Sequence, residues 1–315
     1  MTTYLSSVTG RGGITARIVA DSISSVTGDR LRTFEVEFPR MILPEFLTHR
    51  MLSKNTSSTR AIPVDRAIEL VLENPAAPIH WGENNPGMVS NRELDPTRQD
   101  AARGVWQATI NAVVAHVRVM SSKVGINGHK QWAGRWLETA SFVKMVISGT
   151  ELANWYYLRD HADAQPEIRE LARVMLEAEK LSTPTTLQPG EWHLPYVTVR
   201  EGRYFSGDEE IDLETAKQIS ASCCAQTSYR RNDDSVEKAR KVFKMLNVGP
   251  VEERTGPPHS SPLEHQGTPI QRLTGQTLNG FPEGVTHITR DGAFWSGNFK
   301  GWIQHRQIIP NTAVW

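Results

Sequence analysis

The chain has 315 residues, with Lys plus Arg and Asp plus Glu equal at 35 each, and a hydrophobic fraction of 38% that includes nine Trp, nine Phe and six Tyr. That is enough apolar material for a real core, and a formal net charge of zero argues against holding a nucleic acid by bulk electrostatics, which needs a basic face. The two cysteines, adjacent Cys223 and Cys224, cannot build a disulfide framework and fit a reducing cytoplasm.

No apolar run approaches the ~20 residues of a membrane span, so no membrane association is expected. Met1–Leu5 lacks a basic stretch leading into an apolar one, so no signal peptide is expected either.

In chain order, a short strand is expected near Ala16–Ala20. Residues 33–38 alternate cleanly, with Thr33, Glu35 and Glu37 on one face and Phe34, Val36 and Phe38 on the other. That pattern predicts a half-buried strand. Pro39 ends it, and a helix is expected from about Arg40 to Lys54. Pro63 opens another to about Glu73, with Ala67, Ile68, Val71 and Leu72 inward. Residues 74–93 are rich in Asn, Pro and Gly and read as a long surface loop.

Asp95-Pro96 reads as an N-cap and first-turn proline. The helix it starts runs to about Lys123, with Val105, Trp106, Ile110, Val113, Val114 and Val117 as its stripe. A helix from about His129 to Leu137, an extended piece at Phe142–Ile147 and a short helix from Thr150 to Arg159 follow. Pro166 opens the next, with Ile168, Leu171, Ala172, Met175 and Leu176 inward. A loop from Pro184 to Pro195 leads to a strand at Tyr196–Val199. Asp212 caps a helix to Ala225, and Asp234 or Ser235 caps another to Leu246, closed by Gly249. The remainder is loop-rich, with a short helix near Asn298–Ile308. With no repeat and no sharp linker, the pattern predicts one α+β domain with a mixed sheet and long helices over residues 1–315.

The richest chemistry lies at Thr48–Arg60, Thr-His-Arg-Met-Leu-Ser-Lys-Asn-Thr-Ser-Ser-Thr-Arg. Arginine forks interleaved with serine hydroxyls form an anion trap suited to phosphate, although a helix end followed by a polar loop collects the same residues. A second cluster, Asn154 to Arg169, places Asn154, Arg159, Asp163 and Gln165 at a helix end and the turn after it, where ordinary capping could account for them and is the better reading for Asp163. A third, His129-Lys130-Gln131 with Arg135, could share a ligand or simply be solvated. Ser260–His265 sets a His beside a Glu on a proline turn.

No dinucleotide-binding glycine pattern, P-loop, H-E-x-x-H or C-x-x-C occurs, so no metal site is expected. Cys223-Cys224, on a helix of small residues, reads as core rather than nucleophile.

Taken together, these residues resemble the flavin-dependent thymidylate synthase family. His49-Arg50, Ser53, Asn55, Ser58 and Arg60 match its R-H-R-x-x-S-x-N-x-x-S-x-R signature, with Thr48 in place of the first Arg. Asn154, Arg159, Ala164, Gln165, Glu167 and Ile168 match its N-(x4)-R-(x5)-A-Q-x-E-I pattern. Two further pieces are out of order. The segments Ala225–Tyr229 and Ser261–His265, which in the family precede the R-H-R signature, here follow it. Residues 215–266 thus resemble the family's usual N-terminal segment, as in a circular permutation.

The resemblance implies an α+β homotetramer with FAD at subunit interfaces. It implies reductive methylation of C5 of dUMP, with methylenetetrahydrofolate as carbon donor and NADPH as reductant. It carries Ser58 and Arg60 to the nucleotide phosphate and Arg159 to the pyrimidine, with Arg135 a second nucleotide contact. Ser58 and Arg159 would be the catalytic pair. His49, Arg50, Asn55, Asn154, Ser228 and His265 would contact FAD.

Family members usually carry Gln at the position of Glu45, Arg at Thr48, Glu at Thr56 and His at Asp163. These departures leave open a relative that acts on dCMP or makes a hydroxymethyl product. A catalytically silent flavin- or nucleotide-binding protein is the alternative of another class.

Overall fold

The computed structural model describes residues 4–229, 232–271 and 281–312. Met1 to Thr3, part of the signal-peptide reading, lie outside it. In chain order come β1 (Ser6–Thr9), β2 (Thr15–Ser24), β3 (Arg30–Pro39), α1 (Leu43–Leu47), β4 (Ser53–Thr56), α2 (Val64–Glu73), α3 (Pro96–Ser121) and α4 (Lys130–Ala133). Then follow β5 (Phe142–Gly149), α5 (Ala153–Arg159), α6 (Pro166–Leu181), β6 (Thr185–Leu187), α7 (Leu213–Ala225) and α8 (Val236–Leu246). The main sheet runs β1-β2-β3-β5-β4, antiparallel throughout, and β6 joins β2 in parallel, so the sheet is mixed and the fold α+β.

The alternation read in residues 33–38 decides which side of the sheet is dry. Phe34, Val36 and Phe38 lie opposite Ile147, Met145 and Val143 of β5. They share a core with Ile168, Leu171, Ala172 and Met175 of α6. Burying each such side chain contributes roughly 1.5–3 kcal/mol.

The polar side is the main correction. Thr33 and Glu35 were expected to face water, yet they are 0% and 2% exposed. The chain beyond residue 190 covers them. Thr33 Oγ1 lies 2.8 Å from His193 Nε2. Glu35 accepts from Tyr4 at 2.8 Å and Tyr196 at 3.0 Å and pairs with Lys144 at 2.9 Å. Alternation reports which residues share a face, not whether a distant segment closes that face.

Other expectations shift. The helix projected to Lys54 stops at Leu47, and Ser53–Thr56 is an edge strand instead. Asp95 caps α3 as expected, accepting from the Arg98 N–H, but Val105 is 68% exposed and off the buried stripe of Ile110, Val114 and Val117. Leu72 likewise faces outward. Ser235 caps α8, while the left-handed residue that closes it is Asn247 (φ 56°), not Gly249. Asparagine tolerates that conformation because its short amide can bond locally; here it reaches the Gly256 carbonyl. The helix expected near Asn298–Ile308 is mostly strand, Phe299–Lys300 and Trp302–Gln304, with a 3₁₀ turn only at His305–Ile308. Gly301 at φ 71° turns the chain between these two strands, which a helix would not allow. No described helix is long and apolar enough to cross a membrane.

Burial alone would raise the Glu35 carboxyl, but Lys144 and the two phenols outweigh it and hold it below its ordinary 4.5. A depressed carboxyl contributes stability that is present above its unfolded value and is lost as pH falls through the folded one. Glu35→Gln should therefore destabilise the protein by about 1–3 kcal/mol at pH 7. The gap from wild type should narrow in denaturant melts as pH drops below 4.5; a gap independent of pH would contradict this.

Candidate functional site

The motif Thr48–Arg60 begins where α1 fails to continue. Thr48 Oγ1 turns back onto the Glu45 carbonyl at 2.7 Å, a side-chain bond that competes with the helix ladder. The chain then enters β4, whose period of two sorts the motif. Ser53 and Asn55 lie opposite Ser148 and Val146, on the face that holds Thr33. Lys54 and Thr56 take the α6 side.

On that side the Phe46 and Trp155 rings meet edge to face at 4.9 Å, and His49 stands edge-on to Trp155 at 4.7 Å. Arg159 Nε donates to His49 Nε2 at 2.9 Å. A guanidinium can only donate, so this bond makes Nε2 the acceptor and puts the imidazole proton on Nδ1. Burial, then the charges of Arg159 and Lys54, hold His49 down to about 4, so the ring is neutral at physiological pH. Arg159 Nη1 also lies 3.6 Å from Glu45. Arg159, Glu45, Thr48 and Asp163 line an open cleft of about 930 Å³.

A second grouping forms around the end of the motif. The Ser58 N–H donates to Ser228 Oγ at 2.8 Å, and Asn55 Nδ2 donates to the Cys224 carbonyl at 3.0 Å. Both link the motif to the C-terminal end of α7. Thr59 and Arg135 share Glu138 Oε1, at 2.8 and 2.7 Å. Arg60 is exposed and pairs with no carboxylate among the described residues.

Sequence reading missed Arg40. Its Nη2 donates to the Ser57 carbonyl at 3.1 Å, its Nε has no partner among the described residues, and burial lowers its affinity for a proton, with Glu138 and Arg135 as charged neighbours. The available signal was an arginine directly after the strand-ending Pro39.

The remaining candidates are scattered. Arg50 and Asn154 are exposed. His265 is fully buried, its Nδ1 2.9 Å from Ser148 Oγ. His129 caps α4 rather than joining Arg135. Gln165 and Glu167 serve architecture: Gln165 donates to Glu167, which accepts the Ile79 N–H at 2.9 Å and pins the loop after α2. Cys223 and Cys224 are core, their thiols pushed up by burial.

An α+β scaffold that carries a hydroxyl-rich loop at Ser58–Arg60 and, in a separate grouping, a guanidinium–imidazole pair at Arg159 and His49 offers donors suited to a planar, anionic ligand. Residues 10–185, more than half of the chain, match the family model described as thymidylate synthase complementing protein. The chain belongs to that family, the flavin-dependent thymidylate synthases, which methylate C5 of a pyrimidine nucleotide with the help of a flavin.

Among solved structures it is similar to a UMP/dUMP methylase PolB from Streptomyces cacaoi bound with 5-Br UMP, at 16% identity over 53% of this chain and 89% of that one, TM-score 0.40. It is also similar to the flavin dependent thymidylate synthase ThyX from Helicobacter pylori complexed with FAD and dUMP, at 20% identity over 47% and 67%, TM-score 0.32. No curated protein matches. The family match ends at residue 185, so Ser228 and His265 lie beyond it.

The His49 ring should titrate near 4 when followed by NMR, and Arg159→Ala should move that midpoint up toward the ordinary 6.5 by opening the site and removing a charge. A wild-type midpoint already at 6.5 would contradict the pairing of Arg159 with His49.

Proposed function

We propose that this protein converts dUMP to dTMP, with methylenetetrahydrofolate as carbon donor and NADPH as reductant, and that it works as a homotetramer in the cytoplasm. The observation that carries the reading is the motif loop itself. Within the matched span, Ser58 and Arg60 stand on a loop tied to Ser228, with Arg135 bonded through Glu138 to Thr59.

In this reading Ser58, Arg60 and Arg135 hold the nucleotide phosphate. Arg159 donates to a pyrimidine carbonyl and stabilises the negative charge that develops as C5 becomes nucleophilic. His49, neutral and a proton donor at Nδ1, fixes the orientation of Arg159 by accepting its Nε–H. FAD, when bound, supplies the hydride chemistry. The residues fit such a group unevenly. Arg50 and Asn154 offer exposed polar groups. Asn55 and Ser228 are engaged with Cys224 and Ser58, so they shape the wall from inside.

We also propose that residues 215–266 replace the family's N-terminal segment within one catalytic domain. The contacts of Ser228 with Ser58 and of His265 with Ser148 support this. A permuted segment would bring the helix before Gly249 beside the Phe34 strand; instead, among the described residues, α8 packs on α7 and the 248–263 region through Val242 and Leu246, outside the core around Phe34. Loop-closure cost grows slowly with length, so the rearranged connection costs little.

A second substrate is favoured by Glu45. A carboxylate beside Arg159 accepts only, and so suits the exocyclic amino group of cytosine in dCMP.

Product mass spectrometry with dUMP and dCMP, methylenetetrahydrofolate and NADPH should show a one-carbon adduct at C5 of dUMP. An adduct on dCMP alone, or a hydroxymethyl product, would replace this substrate assignment; NADPH left unoxidised would point to a silent binder. Arg60→Ala should weaken nucleotide binding roughly ten- to a hundredfold, as expected for losing a charged hydrogen bond of about 1.5–3 kcal/mol, and leave FAD binding nearly unchanged. Equal loss of both ligands in titration calorimetry would misplace the phosphate.

A further inference from the structure

Five buried side chains form one hydrogen-bonded file behind the sheet. His193 Nδ1 lies 2.9 Å from Ser22 Oγ, and its Nε2 lies 2.8 Å from Thr33 Oγ1. Thr33 Oγ1 lies 2.6 Å from Ser148 Oγ, which lies 2.9 Å from His265 Nδ1. None of the five is more than 5% exposed. The file ends on His265 Nε2, which has no partner among the described residues. Paired backbone bonds between His193 and Gly267 clamp the His193 segment in place.

The proton count on this file is restrictive. Three hydrogen bonds join the two rings, and the two hydroxyls between them donate one proton each. The third proton must come from one ring, and only one. If His193 donates from Nε2, both hydroxyls point toward His265, whose Nδ1 accepts and whose proton sits on Nε2. If His193 instead donates from Nδ1 to Ser22, the file reverses, and His265 carries its proton on Nδ1 and leaves Nε2 bare. Either way the two rings hold the same tautomer.

We infer that His193 is a positioning residue whose tautomer is locked to that of His265, so that the file as a whole decides whether the unpartnered Nε2 offers a donor or an acceptor to the group that meets it. Burial holds both rings down to about 3, so neither gains the extra proton that would break the count. His193 lies beyond the matched span, while Ser22, Thr33 and Ser148 lie within it. Two histidines of the C-terminal part of the chain are thus coupled through two side chains of the family core, Thr33 and Ser148, with Ser22 at the far end of the file. That the group meeting His265 is the flavin rests on the function proposed above.

Nitrogen-15 NMR of histidine-labelled, full-length protein reads both rings directly. The same tautomer on His193 and His265 is expected; opposite tautomers overturn the inference, whatever the ligand. On adding FAD, the His265 nitrogens should shift and those of His193 should follow. Thr33→Val should abolish the His193 response and Thr33→Ser should restore it. A His193 response that survives Thr33→Val overturns the relay. Matching tautomers with no response to FAD at either ring uphold the relay and remove His265 from the flavin site. If Thr33→Val does not fold, the wild-type comparison of tautomers decides alone.

Discussion

Everything in this molecule depends on closing the polar face of its sheet. Thr33, Glu35, Ser53 and Ser148 all point away from α6, and none is more than 2% exposed. A buried polar group without a partner costs about 1–3 kcal/mol, more if charged. The first half of the chain supplies only part of what these groups need. His193 takes Thr33, Tyr196 takes Glu35, His265 takes Ser148, and Gln304 takes Ser53 at 3.2 Å. The α6 face could hold together by apolar contact alone. The opposite face needs specific partners at specific distances, and those partners arrive more than a hundred residues later.

This constraint also places the candidate site. β4 is the edge strand of the same face, so the elements that close it also fix the motif. Asn55 is held by the carbonyl at the end of α7, and Ser58 by Ser228 just beyond. The loop that would grip a phosphate is thus shaped from behind by the segment that satisfies the buried strand. On the α6 side, the Phe46, Trp155 and His49 rings, packed edge to face through Trp155, set the direction in which Arg159 reaches its cleft.

Some of this was legible in the sequence and some was not. The period of two at Phe34, Val36 and Phe38 and the stripe at Ile168, Leu171 and Met175 revealed the dry interface, because both patterns are local. The caps at Asp95, Asp212 and Ser235 were legible for the same reason. The end of α1 was misread because the apolar run into Leu47 fits a helix, and nothing local says that Ser53–Thr56 will find β5 across ninety residues. The burial of Glu35 was invisible for a stronger reason: its four partners, Tyr4, Arg17, Lys144 and Tyr196, are spread along the chain. The motif residues were identified by type and spacing, which do not reveal that Arg40 stands behind Ser57 or that His265 faces inward.

Native-state hydrogen exchange on the whole chain tests the central claim most directly. If the C-terminal part closes the polar face, the amides of α7 around Cys223 and Cys224 and those of β5 around Val146 should exchange through one shared opening. Their free energies and denaturant slopes should then be equal. Exchange of α7 through a much smaller opening, with β5 still protected at the global value, would show that the sheet keeps its buried polar face without that cover, and would contradict the account.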